Sequence, residues 1–463
     1  MTTLLIVLCG AAVFSMIFAS RPHFVILAAF ALFALVPSIA VGTVVPLPVH
    51  PGLFMIAAGA AVQFLRSPRR FLQVLNSRPL LACLVLLLSA LMLFIRWSTG
   101  YGMSLGGVLS IAIGPFLLYV LTLLSFSGAP GPLRTLLRGF AVLTLIVIGV
   151  AGAQYFTGDV YVWESAYQQQ WWWGSRQEIT QPVATFGHWI PMAVFLAVIL
   201  PLTTLLKSRL LWIFMIVLSL ATVLASASRA GLILLVIASV FVAGREMRAN
   251  TAHRNMALLI LSLPLGALVV SLVRSELSET LSSKVEDDGV STELRLQAID
   301  WFFSHMGDFA VSPYPVSDLL AAGILGSSLE NGFFIFATGY SVLTASVLAM
   351  VCITLVVSVV SSRGTHRFTA AVVILLFLAS TVFSGSFASG SAFEYMLAWM
   401  AAALGTVEFP GSEQKPRTEA ADTPAVPDAS CEAAPTGSPI SAAPPSPASG
   451  EAGRRVPEEY GRQ

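Results

Sequence analysis

Long apolar runs, separated by short polar or proline-bearing breaks, repeat along the chain from residue 2 to residue 409. About 20 apolar residues in a helix cross a hydrocarbon core of roughly 30 Å, and a helix pairs its backbone groups internally, as lipid demands. On that criterion spans are expected near 2–19, 24–45, 52–65, 79–97, 105–127, 136–156, 188–206, 210–227, 231–244, 255–273, 333–361, 368–387 and 392–409. The third and ninth are short. The expected fold class is therefore all-α, a polytopic membrane helix bundle of about 12–13 transmembrane helices. Residues 2–19 lack the basic n-region of a signal peptide and read as a first transmembrane helix.

The pattern stops at Pro410. Beyond it the chain runs through Ala, Pro, Ser, Gly and Glu, as in Ala442-Ala443-Pro444-Pro445-Ser446-Pro447. Such a segment buries too little apolar surface to offset chain entropy. The expected division is a transmembrane domain over 1–409 and a disordered cytoplasmic tail over 410–463, with no soluble folded domain and no clear internal repeat.

Composition agrees with this reading: 56% of the 463 residues are hydrophobic and 11% are charged, which excludes an ordinary soluble domain. The net charge of +1 offers no bulk field for nucleic acid. The distribution of charge says more. With these spans the odd-numbered loops carry fourteen Lys and Arg residues, among them Arg21, Arg66, Arg69, Arg70, Arg78, Arg134 and Arg138. The even-numbered loops carry six: Arg96, Arg176, Arg229, Arg274, Lys284 and Arg295. The positive-inside rule puts the odd loops in the cytoplasm and the even loops outside. Two extended segments, about 157–187 and 274–332, then face the outer side. Cys9, Cys83 and Cys352 fall in spans and Cys431 in the tail, with no metal-ligand spacing and no disulfide for the outer loops.

The first outer segment holds Tyr161, Trp163, Tyr167 and the triplet Trp171-Trp172-Trp173. Two readings of the triplet stay open: an interfacial aromatic belt, or a platform whose flat apolar faces match the C–H faces of sugar rings. The second segment is larger and more acidic. Ser291-Thr292 is a candidate helix cap, with Glu293 in the first turn and Leu294, Ala298 and Trp301 following at helical spacing. That pattern predicts an amphipathic helix suited to the outer leaflet, with Arg295 along its apolar border.

Arg229 stands alone in Ser226-Ala227-Ser228-Arg229-Ala230-Gly231, between two apolar runs with almost no loop around it. A cation at mid-membrane costs roughly 2.5–3.5 kcal/mol on insertion scales, so such a residue is a functional candidate. It is either an interfacial Arg snorkelling to headgroups or one awaiting an anionic ligand. On the same predicted side lie Thr185-Phe186-Gly187-His188 with Pro191, Arg295, and Glu330-Asn331-Gly332-Phe333.

In these motifs the chain resembles the superfamily of O-antigen ligases and Wzy-type polysaccharide polymerases. The likeness rests on Thr-Phe-Gly-His-x-x-Pro leading into a helix, on Ser-x-Ser-Arg-x-Gly between two spans, on an Arg-bearing helix from Leu294 to Phe302 in a large periplasmic loop, and on Asn-Gly-aromatic opening the next helix. It covers about residues 180–345 in motifs and the membrane portion in layout. Where ligases of that family place His before Asn, this chain has Glu330, which points to a polymerase; where the family often places Arg before Thr-Phe-Gly, it has Gln181 and Pro182, with Arg176 further upstream.

The resemblance implies a bacterial inner-membrane enzyme that joins undecaprenyl-pyrophosphate-linked oligosaccharide repeat units on the periplasmic face, working beside a flippase and a chain-length regulator. No cofactor or metal is implied, because guanidinium groups can neutralise a departing pyrophosphate. Arg229 and Arg295 are then the pyrophosphate-binding pair, with Arg176 and Arg274 as rivals for that contact. Glu330 is the first candidate general base and His188 the second; each also reads as a helix-start residue, a macrodipole carboxylate and a cap. Trp171, Trp172, Trp173 and Asn331 are candidate glycan contacts, and Asn331 equally reads as the cap of the next helix. Two other activities stay in view: a ligase moving a finished glycan to a lipid A core or protein, and a lipid-linked oligosaccharide transporter.

Overall fold

Proline sets many of the helix starts. Pro22, Pro51, Pro68, Pro79 and Pro130 each open a helix, the one helical position where a missing N–H and a fixed φ are no handicap. The computed structural model describes residues 2–99, 105–126, 130–169, 181–206, 208–249, 280–314, 331–382 and 393–408, with positions 264, 266, 267 and 384. All lie in the first of two compact units, Met1–Ser412; the second is Glu413–Gln463. Among the described residues the regular elements are helical and none is a β-strand.

In chain order these are α1 (Thr2–Ile17), α2 (Pro22–Leu35), α3 (Pro51–Arg66), α4 (Pro68–Asn76), α5 (Pro79–Thr99), α6 (Leu105–Phe126), α7 (Pro130–Thr157) and the short α8 (Glu164–Tyr167). They continue with α9 (Trp189–Thr203), α10 (Arg209–Ala225), α11 (Arg229–Ala249), α12 (Thr280–His305), α13 (Gly332–Tyr340), α14 (Val342–Val360), α15 (Arg367–Ser380) and α16 (Phe393–Thr406). Five helical stretches are long and apolar enough to cross a membrane: Pro79–Thr99, Leu105–Phe126, Gly131–Thr157, Trp189–Leu206 and Val342–Val360. Shorter apolar helices flank them, α1, α2, α3 and α15 among them.

Three expectations change. The span expected over 24–45 stops at Leu35, because Pro37, Gly42, Pro46 and Pro48 break the helix although Val41, Val44 and Val45 keep the run apolar. The span expected over 333–361 is two helices divided at Ser341, whose φ is 153° and whose Oγ accepts from Thr344 N to cap α14. The amphipathic helix expected to start at Ser291-Thr292 begins at Thr280, so that pair lies inside α12 rather than capping it. The span expected near 255–273 lies largely outside the described residues.

The centre of the unit is formed by α9 and α16. Met192 to Thr203 of α9 and Phe393 to Gly405 of α16 are buried throughout, as expected of helices that are apolar on every side. Helix α9 packs on α11 and α15, and α16 packs on α15, α6 and α14. Small residues bring α16 close to α15: a Cβ at Gly405 would fall 2.6 Å from that of Ala370. Lipid gives helices no hydrophobic drive to associate, so such close backbone approach carries much of the packing.

Hydrogen bonds between connections mark two ends. At one, His50 Nε2 donates to Val36 O (2.8 Å), Trp163 Nε1 to Leu35 O (2.7 Å) and Gly332 N to Thr381 O (2.8 Å). At the other, Gln63 Nε2 donates to Ala19 O (2.7 Å), Arg245 to the hydroxyls of Thr204 (2.7 Å) and Thr369 (3.3 Å), and Ser362 Oγ to Gly405 O (2.8 Å). Of the predicted site residues, the described ones, His188, Arg229, Arg295 and Asn331, belong to the first.

Candidate functional site

The corner around Arg229 is built from its own small residues. Helix α10 ends as Ser226 Oγ donates to Val223 O (2.8 Å), and Ala227 takes a left-handed conformation, φ 51°. Ser228 then caps α11: its carbonyl accepts from Leu232 N (2.9 Å) and its Oγ from Gly231 N (3.2 Å). Arg229 is thereby the first residue of α11, at the positive pole of the helix, and its side chain is exposed. A guanidinium at a helix N-terminus is a favourable place for an anion. Gly231 is fixed by packing, since an added Cβ would overlap the methyl of Ala193, one turn into α9.

The segment leading into α9 is held just as firmly. Gln154, fully buried near the end of α7, accepts from Val183 N (3.0 Å) and Ala184 N (2.7 Å) and donates to Ala184 O (2.8 Å). Thr185 donates to Ala34 O, and the Tyr167 hydroxyl donates to Phe186 O (2.6 Å). Burial pushes the Tyr167 phenol pKa up, so it stays a donor. His188 caps α9, Nδ1 accepting from Ile190 N at 3.2 Å, with its ring centroid 3.7 Å from that of Trp189. Burial lowers its pKa from 6.5 to about 4. It is a neutral imidazole with one nitrogen committed to the cap.

Asn331 caps α13, its Oδ1 accepting from Phe333 N (3.0 Å) and Phe334 N (3.2 Å). Helix α12 docks beside it through Phe302, stacked on Phe334 at 4.1 Å, and Trp301, against Phe309 and Tyr314. Ala298 and Phe302 are buried, whereas Arg295, one and two turns before them on the same stripe, is exposed. The chain after α12 returns to α14, with Val342 N bonded to Phe309 O and Leu343 N to Ala310 O, both 3.0 Å.

His188, Arg229 and Asn331 thus head three helices at one end of the unit, and Arg295 lies on a helix docked beside Asn331. Glu330, Trp171, Trp172 and Trp173, like Arg176 and Arg274, lie outside the described residues. The described non-glycine residues with positive φ, Trp163, Ala184, Ala227 and Ser341, all fall in connections around this end, a distribution typical of functional sites.

One buried carboxyl escaped the sequence reading. Glu394 is 2% exposed near the start of α16, and its Oε1 has no hydrogen-bond partner among the described residues. Gly405 meets Ala370, and α15 and α16 run antiparallel, so equal rise along both helices sets Glu394 level with Thr381, which holds Gly332. The signal was present, an acid inside an apolar run, but hydropathy averaging absorbed it. Gln154 was hidden similarly, as one polar residue at the end of a span. An apolar depression of about 540 Å3 on α10, lined by Leu210, Ile213, Phe214 and Val217, lies towards the opposite end, away from these groups.

No protein-family model matches the chain, and no curated protein matches it.

Proposed function

We propose that this chain is an inner-membrane polysaccharide polymerase that joins undecaprenyl-pyrophosphate-linked oligosaccharides on the periplasmic face. One observation carries the reading: Arg229 is exposed at the N-terminal pole of α11, two residues before the Gly231–Ala193 contact that joins α11 to α9, the helix capped by His188. Guanidinium and helix pole together suit a pyrophosphate at a membrane boundary. Arg295, on a helix docked at the same end, is the second cation.

The hydroxyl of an incoming repeat unit attacks the anomeric carbon of the growing chain. The new C–O bond forms as the bond to pyrophosphate breaks, and undecaprenyl pyrophosphate leaves with the electron pair. Arg229 and Arg295 neutralise the charge growing on the leaving group. Glu330 takes the hydroxyl proton and is the first base in this scheme. His188 stands second, because a base whose pKa is lowered to about 4 accepts a proton reluctantly at neutral pH. Asn331, its oxygen occupied by the cap, retains an amide N–H2 for a sugar hydroxyl. The Trp171–Trp173 triplet is the proposed sugar platform.

Gel analysis of lipid-linked glycans from a deletion strain, complemented with wild type, Arg229→Ala or Arg295→Ala, tests this reading. A ladder restored by wild type alone, with single-repeat glycolipid remaining in both variants, is expected. A deletion strain that still accumulates long lipid-linked chains would instead mark a ligase.

A further inference from the structure

The end of the unit opposite the candidate site carries a basic elbow that the proposed reaction does not use. Helix α3 stops at Ser67 (φ −146°, ψ 64°), and Pro68 starts α4 in a new direction. Helix α4 turns Phe71 inward against α6 and the Phe64 ring (5.6 Å), with Val74 and Leu75 half-buried beside it. Its outward stripe is Arg69, Leu72, Gln73 and Asn76, all exposed at helical spacing. Arg66 and Arg70 are exposed on either side, and Arg78 follows half-buried at the start of α5.

Along the sequence these cations have no acidic neighbours. No Asp or Glu precedes Asp159, and no Lys precedes Lys207. Of the eight Arg residues before Asp159, Arg96 alone belongs to the site end; the rest, Arg21, Arg134 and Arg138 included, gather at the elbow's end. Every early cation is thus the side chain that binds phosphate oxygens as a planar fork.

The surroundings decide what kind of anion fits. Leu65 is 79% exposed and Leu72 49%, and Phe64 and Leu80 are exposed as well, interleaved with the Arg residues. A soluble phosphate has no use for such side chains. A phospholipid does, since its acyl chains cover the apolar residues while its headgroup meets the guanidinium groups. The elbow also sits at the ends of two apolar helices, α3 and α5, where a headgroup layer would lie. We propose that the α3–α4 elbow is a docking site for anionic phospholipid, centred on Arg66, Arg69 and Arg70 and seated on Leu65 and Leu72.

The test uses the purified full-length chain in detergent, titrated with short-chain phosphatidylglycerol, short-chain phosphatidylcholine and glycerol 3-phosphate, with bound lipid counted by native mass spectrometry. Wild type should prefer phosphatidylglycerol to both comparators by at least about tenfold. An Arg near a charged bilayer surface contributes about fivefold, so the triple variant R66Q/R69Q/R70Q should lose roughly a hundredfold. Arg96→Gln, at the other end, should change nothing. If the triple variant fails to fold, Leu72→Ser keeps every charge and should weaken phosphatidylglycerol without changing glycerol 3-phosphate. Equal binding of phosphatidylcholine, or of free glycerol 3-phosphate, would overturn the proposal, as would unaltered phosphatidylglycerol binding in a folded triple variant. None of these readouts involves a glycan, so they stand apart from the fate of the polymerase reading.

Discussion

Gly231 on α11 rests directly on Ala193 of α9, with room for no side chain between them. This contact joins the two helices whose first turns carry Arg229 and the His188 cap. A β-carbon at 231 would also approach Ser228 Oγ, the group that caps α11, at 3.0 Å. The Gly of the Ser-x-Ser-Arg-x-Gly turn is therefore a packing requirement, and through it a requirement on where Arg229 stands.

Gly231→Ala should lower stability by about 1–3 kcal/mol, the usual cost of overpacking a tight contact. The measurement is the thermal melting temperature of the purified protein. Ala193→Gly removes the opposing methyl, so the double variant A193G/G231A should recover part of the loss. Equal destabilisation by the double variant and the sum of the singles would show that the two residues do not share the contact.

Gln154 should be among the costliest polar residues to replace. It is fully buried and its amide satisfies two backbone N–H groups and one carbonyl of Val183 and Ala184. Gln154→Leu would leave the two N–H groups buried without partners, at about 1–3 kcal/mol each, and Ala184 O with the long Tyr167 contact of 3.5 Å alone. The expected outcome is a lowered melting temperature together with faster proteolytic cleavage within 157–187. Unchanged cleavage there would mean that other bonds, such as Tyr167 to Phe186 O, hold the segment without it.

These relationships mark where sequence reading stops. Apolar runs near 20 residues made α5, α6, α7 and α9 legible, because the length needed to span a core is a local property of the chain. The over-long second span shows the weakness of hydropathy alone: Val41, Val44 and Val45 kept the run apolar past the residues that end the helix. In the site, His188 and Asn331 were legible as cap-forming residues, and Arg229 as a lone cation. Their gathering was not legible, since it depends on contacts between distant segments, Gly231 with Ala193 and Gly332 with Thr381. Glu394 and Gln154 were missed because one polar residue scarcely changes the average of an apolar window.

Stability should fall in mild acid through His50. Its ring is buried and stacked on Phe33 at 4.5 Å, with Nδ1 accepting from Gly52 N and Nε2 donating to Val36 O. Burial lowers its pKa from 6.5 to about 4, against a smaller opposing effect of the Val36 bond. The unfolded chain therefore takes up a proton at higher pH than the folded one. The stabilisation is complete above about 6.5 and is lost as pH falls towards 4. Melting temperatures at pH 7.5 and 4.5 should differ more for wild type than for His50→Asn, which keeps a capping oxygen and cannot titrate. An equal pH response in both would remove His50 from the account.

Arg229→Lys separates charge from geometry at the proposed pyrophosphate site. If a cation at the head of α11 were sufficient, Lys would serve, because it keeps the charge and the helix start. A guanidinium instead offers two parallel N–H groups to phosphate oxygens, and an ammonium offers a single point of contact. Losing one charge-assisted hydrogen bond of about 1.5–3 kcal/mol corresponds to roughly ten- to a hundredfold in rate. The polymer ladder from Arg229→Lys cells should therefore be short and faint, between the wild-type ladder and the empty lane expected for Arg229→Ala. Folding should be little affected by either change, since the side chain is exposed, so membrane levels of the protein by immunoblot serve as the control. A full-length ladder from Arg229→Lys would reduce the requirement to bare charge. A full ladder from Arg229→Ala at normal protein levels would take Arg229 out of the reaction altogether.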